Sequence, residues 1–113
     1  MARLFMTAVF SIKKDASTTS ADFRNWMEND HYPKMTGTGH FSGVCTRAID
    51  DRDPQTLKMK YTLEILGEKA WEDYQKNWRP TLQNEFRGAW GHLLEAGTLT
   101  ATVMVSEEVV FYP

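Results

Sequence analysis

Residues Leu4 to Lys13 alternate along the chain: Leu4, Met6, Ala8, Phe10 and Ile12 make one apolar face, and Phe5, Thr7, Val9 and Ser11 make the other. A period of two predicts a strand from Arg3 to Lys13, buried on one face and half-buried on the other. The polar stretch Asp15 to Ser20 predicts a loop that supplies Thr19 or Ser20 as a helix N-cap. From there Phe23, Trp26, Met27 and His31 recur at helical spacing. Pro33 disfavours helical geometry at Tyr32, so this helix is expected to end near His31. Thr36-Gly37-Thr38-Gly39 then reads as a turn.

Phe41 to Ile49 predicts a second strand, and the charged run Asp50-Asp51-Arg52-Asp53-Pro54 joins it as a hairpin to a third. The third strand, Thr56 to Leu66, alternates most clearly, with Leu57, Met59, Tyr61, Leu63 and Ile65 on one side and Thr56, Lys58, Lys60, Thr62 and Glu64 on the other. After Gly67 the period changes: Trp71, Tyr74 and Trp78 predict a helix running to Pro80. A further helix from Thr81 carries Leu82, Phe86, Ala89, Trp90, Leu93 and Leu94 on one side and stops at Gly97. Thr100 to Tyr112 predicts a last strand with a break at Ser106-Glu107-Glu108. The order β-α-β-β-α(α)-β is the split βαβ, ferredoxin-like arrangement of the α+β class. It is a four-stranded antiparallel sheet with helices on one face. One-sided coverage leaves the other sheet face, with Phe5, Thr7, Val9 and Thr62, for a second copy, so a homodimer joined sheet to sheet is expected.

Composition narrows the function. A chain of 113 residues is expected to form a single domain spanning 1–113. A net charge of −2 offers no field for phosphate backbones, so no nucleic-acid partner is expected. The lone cysteine, Cys45, excludes an intramolecular disulfide and any multi-cysteine zinc site, and fits a cytoplasmic location. The apolar start Leu4 to Phe10 is too short and too soon followed by Lys13-Lys14 for a signal sequence or membrane span. The three histidines show no ligand spacing such as HxH or HxxxH, so no metal is expected.

The stretch His31-Tyr32-Pro33-Lys34-Met35-Thr36-Gly37-Thr38-Gly39-His40-Phe41, preceded by Trp26-Met27, resembles a pattern in the dimeric α+β-barrel superfamily. Small bacterial proteins there carry Trp-Met, then His-x-Pro, then Thr-Gly-x-Phe, followed by a tyrosine-bearing third strand and an aromatic-rich second helix, as Tyr61, Trp71 and Tyr74 are here. The resemblance spans nearly the whole chain and is nearest to a bacterial subfamily without an assigned activity. It implies a dimeric α+β barrel. The superfamily includes monooxygenases of antibiotic biosynthesis, muconolactone-type isomerases, polyketide cyclases, hydroxynitrile lyases and stress-responsive proteins, most acting without cofactor in a cavity between sheet and helices. The chain departs from the pattern at Gly67, where a better N-cap is usual, and in its extra Trp78 and Trp90.

His31, on the apolar helical stripe, is a candidate general acid/base; the alternative is a histidine capping the last helical carbonyls. Tyr61, on the apolar face of the third strand, is a candidate acid or oxyanion donor; otherwise it is a core tyrosine bonded to backbone. Arg47 would hold a substrate carboxylate if it faced the helices, or be salt-bridged or snorkelling. Trp26, Trp71, Tyr74 and Trp78 are expected to rim a cavity between the helices and the sheet, since a core filled wholly with indoles strands their N–H groups. The expected function is cofactor-independent proton transfer on a small aromatic or apolar molecule, of lyase, isomerase or cyclase type. The alternatives are a non-catalytic small-ligand-binding or stress-associated dimer and a cofactor-free monooxygenase.

Overall fold

The computed structural model describes residues 3–14 and 19–109. Strand β1 (Leu4–Lys13) leads to helix α1 (Thr19–Trp26), a π-helical turn (Met27–His31) and helix α2 (Tyr32–Gly37). The hairpin β2 (Phe41–Asp50) and β3 (Thr56–Ile65) follows, then α3 (Glu68–Asn77), α4 (Arg79–Glu95) and β4 (Leu99–Glu107). The strands lie in the order β2-β3-β1-β4, each antiparallel to its neighbours. This is the four-stranded ferredoxin-like sheet with helices on one face that the alternation predicts.

Register follows from burial, because a slip of one residue would turn every apolar side chain to the wrong face. Ala8 pairs with Tyr61 and Val103, and Phe10 with Met59 and Ala101, so the helix-facing side carries Met6, Ala8, Phe10, Ile12, Met59, Tyr61 and Leu63. All seven are buried and belong to one core with Phe23, Met27, Tyr32, Met35, Tyr74 and Leu82 from the helices. On the opposite face Thr46, Thr62, Thr7 and Met104 line up across the four strands, with Thr7 and Thr62 hydroxyls 3.4 Å apart. The Arg3 guanidinium ties β1 to Glu64 of β3 at 2.9 Å and to Glu108 beyond β4 at 3.2 Å.

The chain does not leave helical geometry before Pro33. Tyr32 sits at φ −67°, ψ −37°, and its N–H donates to the Met27 carbonyl five residues back. Pro33 falls in the first turn of α2, where a missing N–H breaks no intrahelical bond. Burial of Tyr32 and Met35 outweighs the local bias against helix before proline. Thr36 and Gly37 accordingly end α2 rather than open the turn. The break between α3 and α4 lies at Trp78 (φ −122°) and not at Pro80, which again occupies a first turn. Gly67 enters α3 at φ 104°, a backbone that side chains rarely adopt, which explains why a better capping residue is missing there. Helix α1 already includes Thr19 and Ser20, so neither is the cap expected from the sequence, and the predicted strand end at 110–112 lies outside the described residues. Among the described residues no helix is long and apolar enough to cross a membrane.

Candidate active site

The π-helical turn decides what the first helical segment presents to the sheet. Its buried positions are Phe23, Met27, Tyr32 and Met35, at spacings of four, five and three. An uninterrupted α-helix would carry His31 directly above Met27. The one extra residue seats Tyr32 there instead and brings His31 in beside it. Single π turns of this kind recur at functional sites.

Between this segment, α4 and the sheet lies a cavity of about 270 Å³. Its floor is Met6, Ala8 and Phe10 of β1 with Ala101 and Val103 of β4. His31, Tyr32 and Met35 form one side, Tyr74 of α3 closes an end, and Leu82, Phe86 and Leu94 of α4 complete the apolar lining. Arg79, Gln83 and Arg87, successive turns along one stripe of α4, supply its polar rim. Gln83, Arg87, Ala101 and Val103 are exposed, so the mouth opens between α4 and the edge strand β4.

His31 is held by rings alone. Its imidazole stacks on Trp26, with centroids 5.2 Å apart and planes 19° from parallel, and meets Tyr32 at 5.6 Å and Phe86 at 5.8 Å. Nδ1 is buried, and among the described residues neither ring nitrogen carries a hydrogen bond. The ring therefore caps no helical carbonyl. Burial lowers its pKa to about 4, against smaller opposing pulls from Glu85 and Asp30, so the imidazole is neutral at pH 7. Both of those acids share Lys34, each at 3.3 Å.

The depressed value has a consequence for stability. The unfolded chain binds this proton near pH 6.5 and the folded protein only near pH 4, so stability is lost as pH falls through that window. The depression corresponds to about 3 kcal/mol. Urea unfolding at pH 7 and pH 4 should show that much smaller a loss on acidification in His31→Gln than in the wild type. Equal losses would place the ring in water.

The two tyrosines of the cavity remain protonated donors. Burial raises the Tyr32 hydroxyl well above its ordinary value and pushes that of Tyr74 to about 12. Neither hydroxyl has a hydrogen-bond partner among the described residues. Tyr61 stands behind Tyr32, with ring centroids 4.7 Å apart. Its hydroxyl points 3.7 Å from the Met59 sulfur, and it is 1% exposed. Tyr61 is absent from the cavity lining, whereas Tyr32, which sequence reasoning passed over because Pro33 pointed to a helix end before it, is part of it.

Of the other candidates, Tyr74 lines the cavity and Trp26 backs His31. Arg47 does face the helices, opposite Tyr61, but it is ion-paired to Glu28 and lies outside the lining. Trp71 stacks on Tyr74 at 5.8 Å, and Trp78 lines a separate pocket of about 410 Å³ with Lys34 and Glu85. Trp90 packs on Phe23, and its indole N–H is buried without a partner. His40 bonds Asp73 at 2.5 Å, away from the cavity. Among the described residues no three His, Cys, Asp or Glu side chains converge to hold an ion.

Residues 9–103 match the family model DUF4286, described as a domain of unknown function. The chain belongs to the DUF4286 family. No curated protein matches it. Among solved structures, this DUF4286 chain is similar to a candidate antibiotic biosynthesis monooxygenase from Bacillus cereus, at TM-score 0.60 and 10% identity over 100% of this chain and 99% of the other. A protein described as a member of the ethyl tert-butyl ether d (ethd) family, from Bacillus halodurans, superimposes at TM-score 0.57 and 11% identity, over 93% and 99% of the two chains. A dimeric ferredoxin-like protein from an uncultured marine organism does so at 0.55 and 8%, over 97% and 99%. At these identities the likeness is one of fold.

Proposed function

We propose that the protein is an enzyme that moves a proton on a small aromatic or apolar molecule seated in this cavity, using its own side chains, with His31 as the base. The observation that carries the reading is an imidazole lining an apolar cavity with, among the described residues, no hydrogen bond to either nitrogen. A structural histidine is expected to satisfy its buried nitrogens on the backbone. Proton abstraction from a C–H or O–H of the substrate would pass the electron pair to a conjugated oxygen, where the Tyr32 or Tyr74 hydroxyl donates a hydrogen bond. The imidazolium and the new anion then attract each other in a site of low dielectric, which offsets the desolvation that holds the free ring near pKa 4. Return of the proton to another atom completes an isomerisation or cyclisation; delivery to a leaving group completes a lyase reaction. A protein described as a candidate antibiotic biosynthesis monooxygenase shares this fold, which supports reading the chain as an enzyme.

Trp26, stacked on His31, serves as the reporter. Titration with phenol should change tryptophan fluorescence saturably in the wild type and less in a folded His31→Ala variant. An unchanged signal together with loss of several kcal/mol of stability in the variant would reduce His31 to a packing residue.

The second copy belongs to the same proposal. The row Thr46, Thr62, Thr7, Met104 is uncharged, and Phe5 and Val9 flank it on the face that no helix covers. One fold neighbour is described as dimeric. Light scattering at micromolar concentration should give a particle of about 26 kDa, twice the 13.0 kDa chain, by pairing of these faces. A 13.0 kDa particle would contradict it.

A further inference from the structure

Arginine pairing singles out one stripe of α4. Arg3 is bound to Glu64 and Glu108, Arg24 and Arg47 to Glu28, and Arg52 to Asp50. Arg79 and Arg87 complete the six arginines of the chain, and neither has a carboxylate among the described residues. The chain carries 15 acidic residues, so carboxylates are not scarce. Both unpaired arginines line the same cavity, with Gln83 midway between them. Arg79 lies over the Trp71 ring at 5.8 Å, while Arg87 has no charged, hydrogen-bonded or aromatic partner among the described residues. The acid on the same helix that acts most strongly on His31, Glu85, is engaged by Lys34 and does not compete for these guanidinium groups.

We infer that the ligand of this cavity is a small anion: a single apolar or aromatic ring bearing a carboxylate, whose charge is met at the mouth by Arg87, assisted by Arg79 and Gln83. This rests on the cavity being the binding site, and it adds the substrate class. The size agrees with a single ring, since about 270 Å³ lies just below the roughly 300 Å³ at which sites for drug-sized ligands begin. An apolar floor of Ala8, Phe10 and Val103 receives the ring, while the guanidinium fork suits the carboxylate's two oxygens. The role considered from sequence for Arg47 thereby moves to the two arginines that no acid among the described residues neutralises.

Benzoate and its neutral isostere benzamide separate the possibilities by calorimetric titration. Wild type should bind benzoate roughly tenfold more tightly than benzamide, a preference that shrinks with added salt. In a double variant, Arg79→Gln with Arg87→Gln, the preference should vanish while benzamide binding persists. Arg52→Gln, which alters a paired surface arginine, should retain the preference. Equal binding of the two ligands by the wild type, or a preference that survives the double variant, overturns the inference and leaves the cavity reading standing. Binding of neither ligand overturns both.

Discussion

His31→Ala is expected to lower kcat by about 10²–10⁴-fold on any substrate the wild type turns over, the usual share of a general acid/base. The expectation follows from position. The ring is wedged between Trp26 and Phe86 at the cavity side, with no backbone hydrogen bond to lose, so its removal takes away the proton acceptor and leaves the helical segment anchored by Met27, Tyr32 and Met35. Tyr32→Phe should cost about 10²-fold as the loss of an oxyanion donor. Tyr61→Phe should cost much less, because its hydroxyl faces the Met59 sulfur and not the ligand. A steady-state comparison of the three variants checks the ranking; equal losses at Tyr32 and Tyr61 would mean that ring packing, and not hydrogen-bond donation, governs the rate.

The largest expected effect on stability is at Phe23. It is 0% exposed and meets Phe10 at 5.3 Å, Trp90 at 5.1 Å and Phe86 at 6.1 Å, all edge to face. It therefore joins α1 to both β1 and α4, the elements that bound the cavity. Phe23→Ala should destabilise the protein by about 3–5 kcal/mol, the transfer loss plus the cost of a hole that three rigid rings cannot fill. Urea unfolding measures this directly. A loss below about 1 kcal/mol would show that the aromatic cluster collapses around the gap, and that α4 is not held where the cavity requires it.

The sheet was legible because its signal is redundant. Every second residue of β1 and β3 agrees on which side is apolar, which fixes the faces that the pairing of Ala8 with Tyr61 and Thr7 with Thr62 respects, though not the register itself. Helices α3 and α4 were legible by period, but their boundary was not. Proline was read as a stop where it serves as a first-turn residue, at Pro33 and again at Pro80. At Pro33 the error carried over to the site. A helix ending at His31 makes that histidine a candidate cap and leaves Tyr32 in a loop, whereas continued helix through a π turn makes both cavity residues. The spacing of Met27, Tyr32 and Met35 held the clue, an apolar stripe that skips by five before it resumes by three. Alternation left the face of Arg47 conditional, and its partner Glu28 lies on the first helical segment, a pairing that is not written in local periodicity. Arg79 and Arg87 were passed over for the converse reason: an arginine becomes informative only when the structure shows that no acid comes to it.

Proton transfer by His31 needs a neutral imidazole facing a cavity that a ligand can enter. The most direct measurement is the nitrogen NMR signal of the His31 ring followed from pH 3 to pH 8, in the free protein and with benzoate present. The free ring is expected to stay neutral down to about pH 4, and benzoate should shift its nitrogen resonances saturably and raise that titration point. A ring that titrates near the ordinary histidine value of about 6.5 and ignores the ligand would contradict the account.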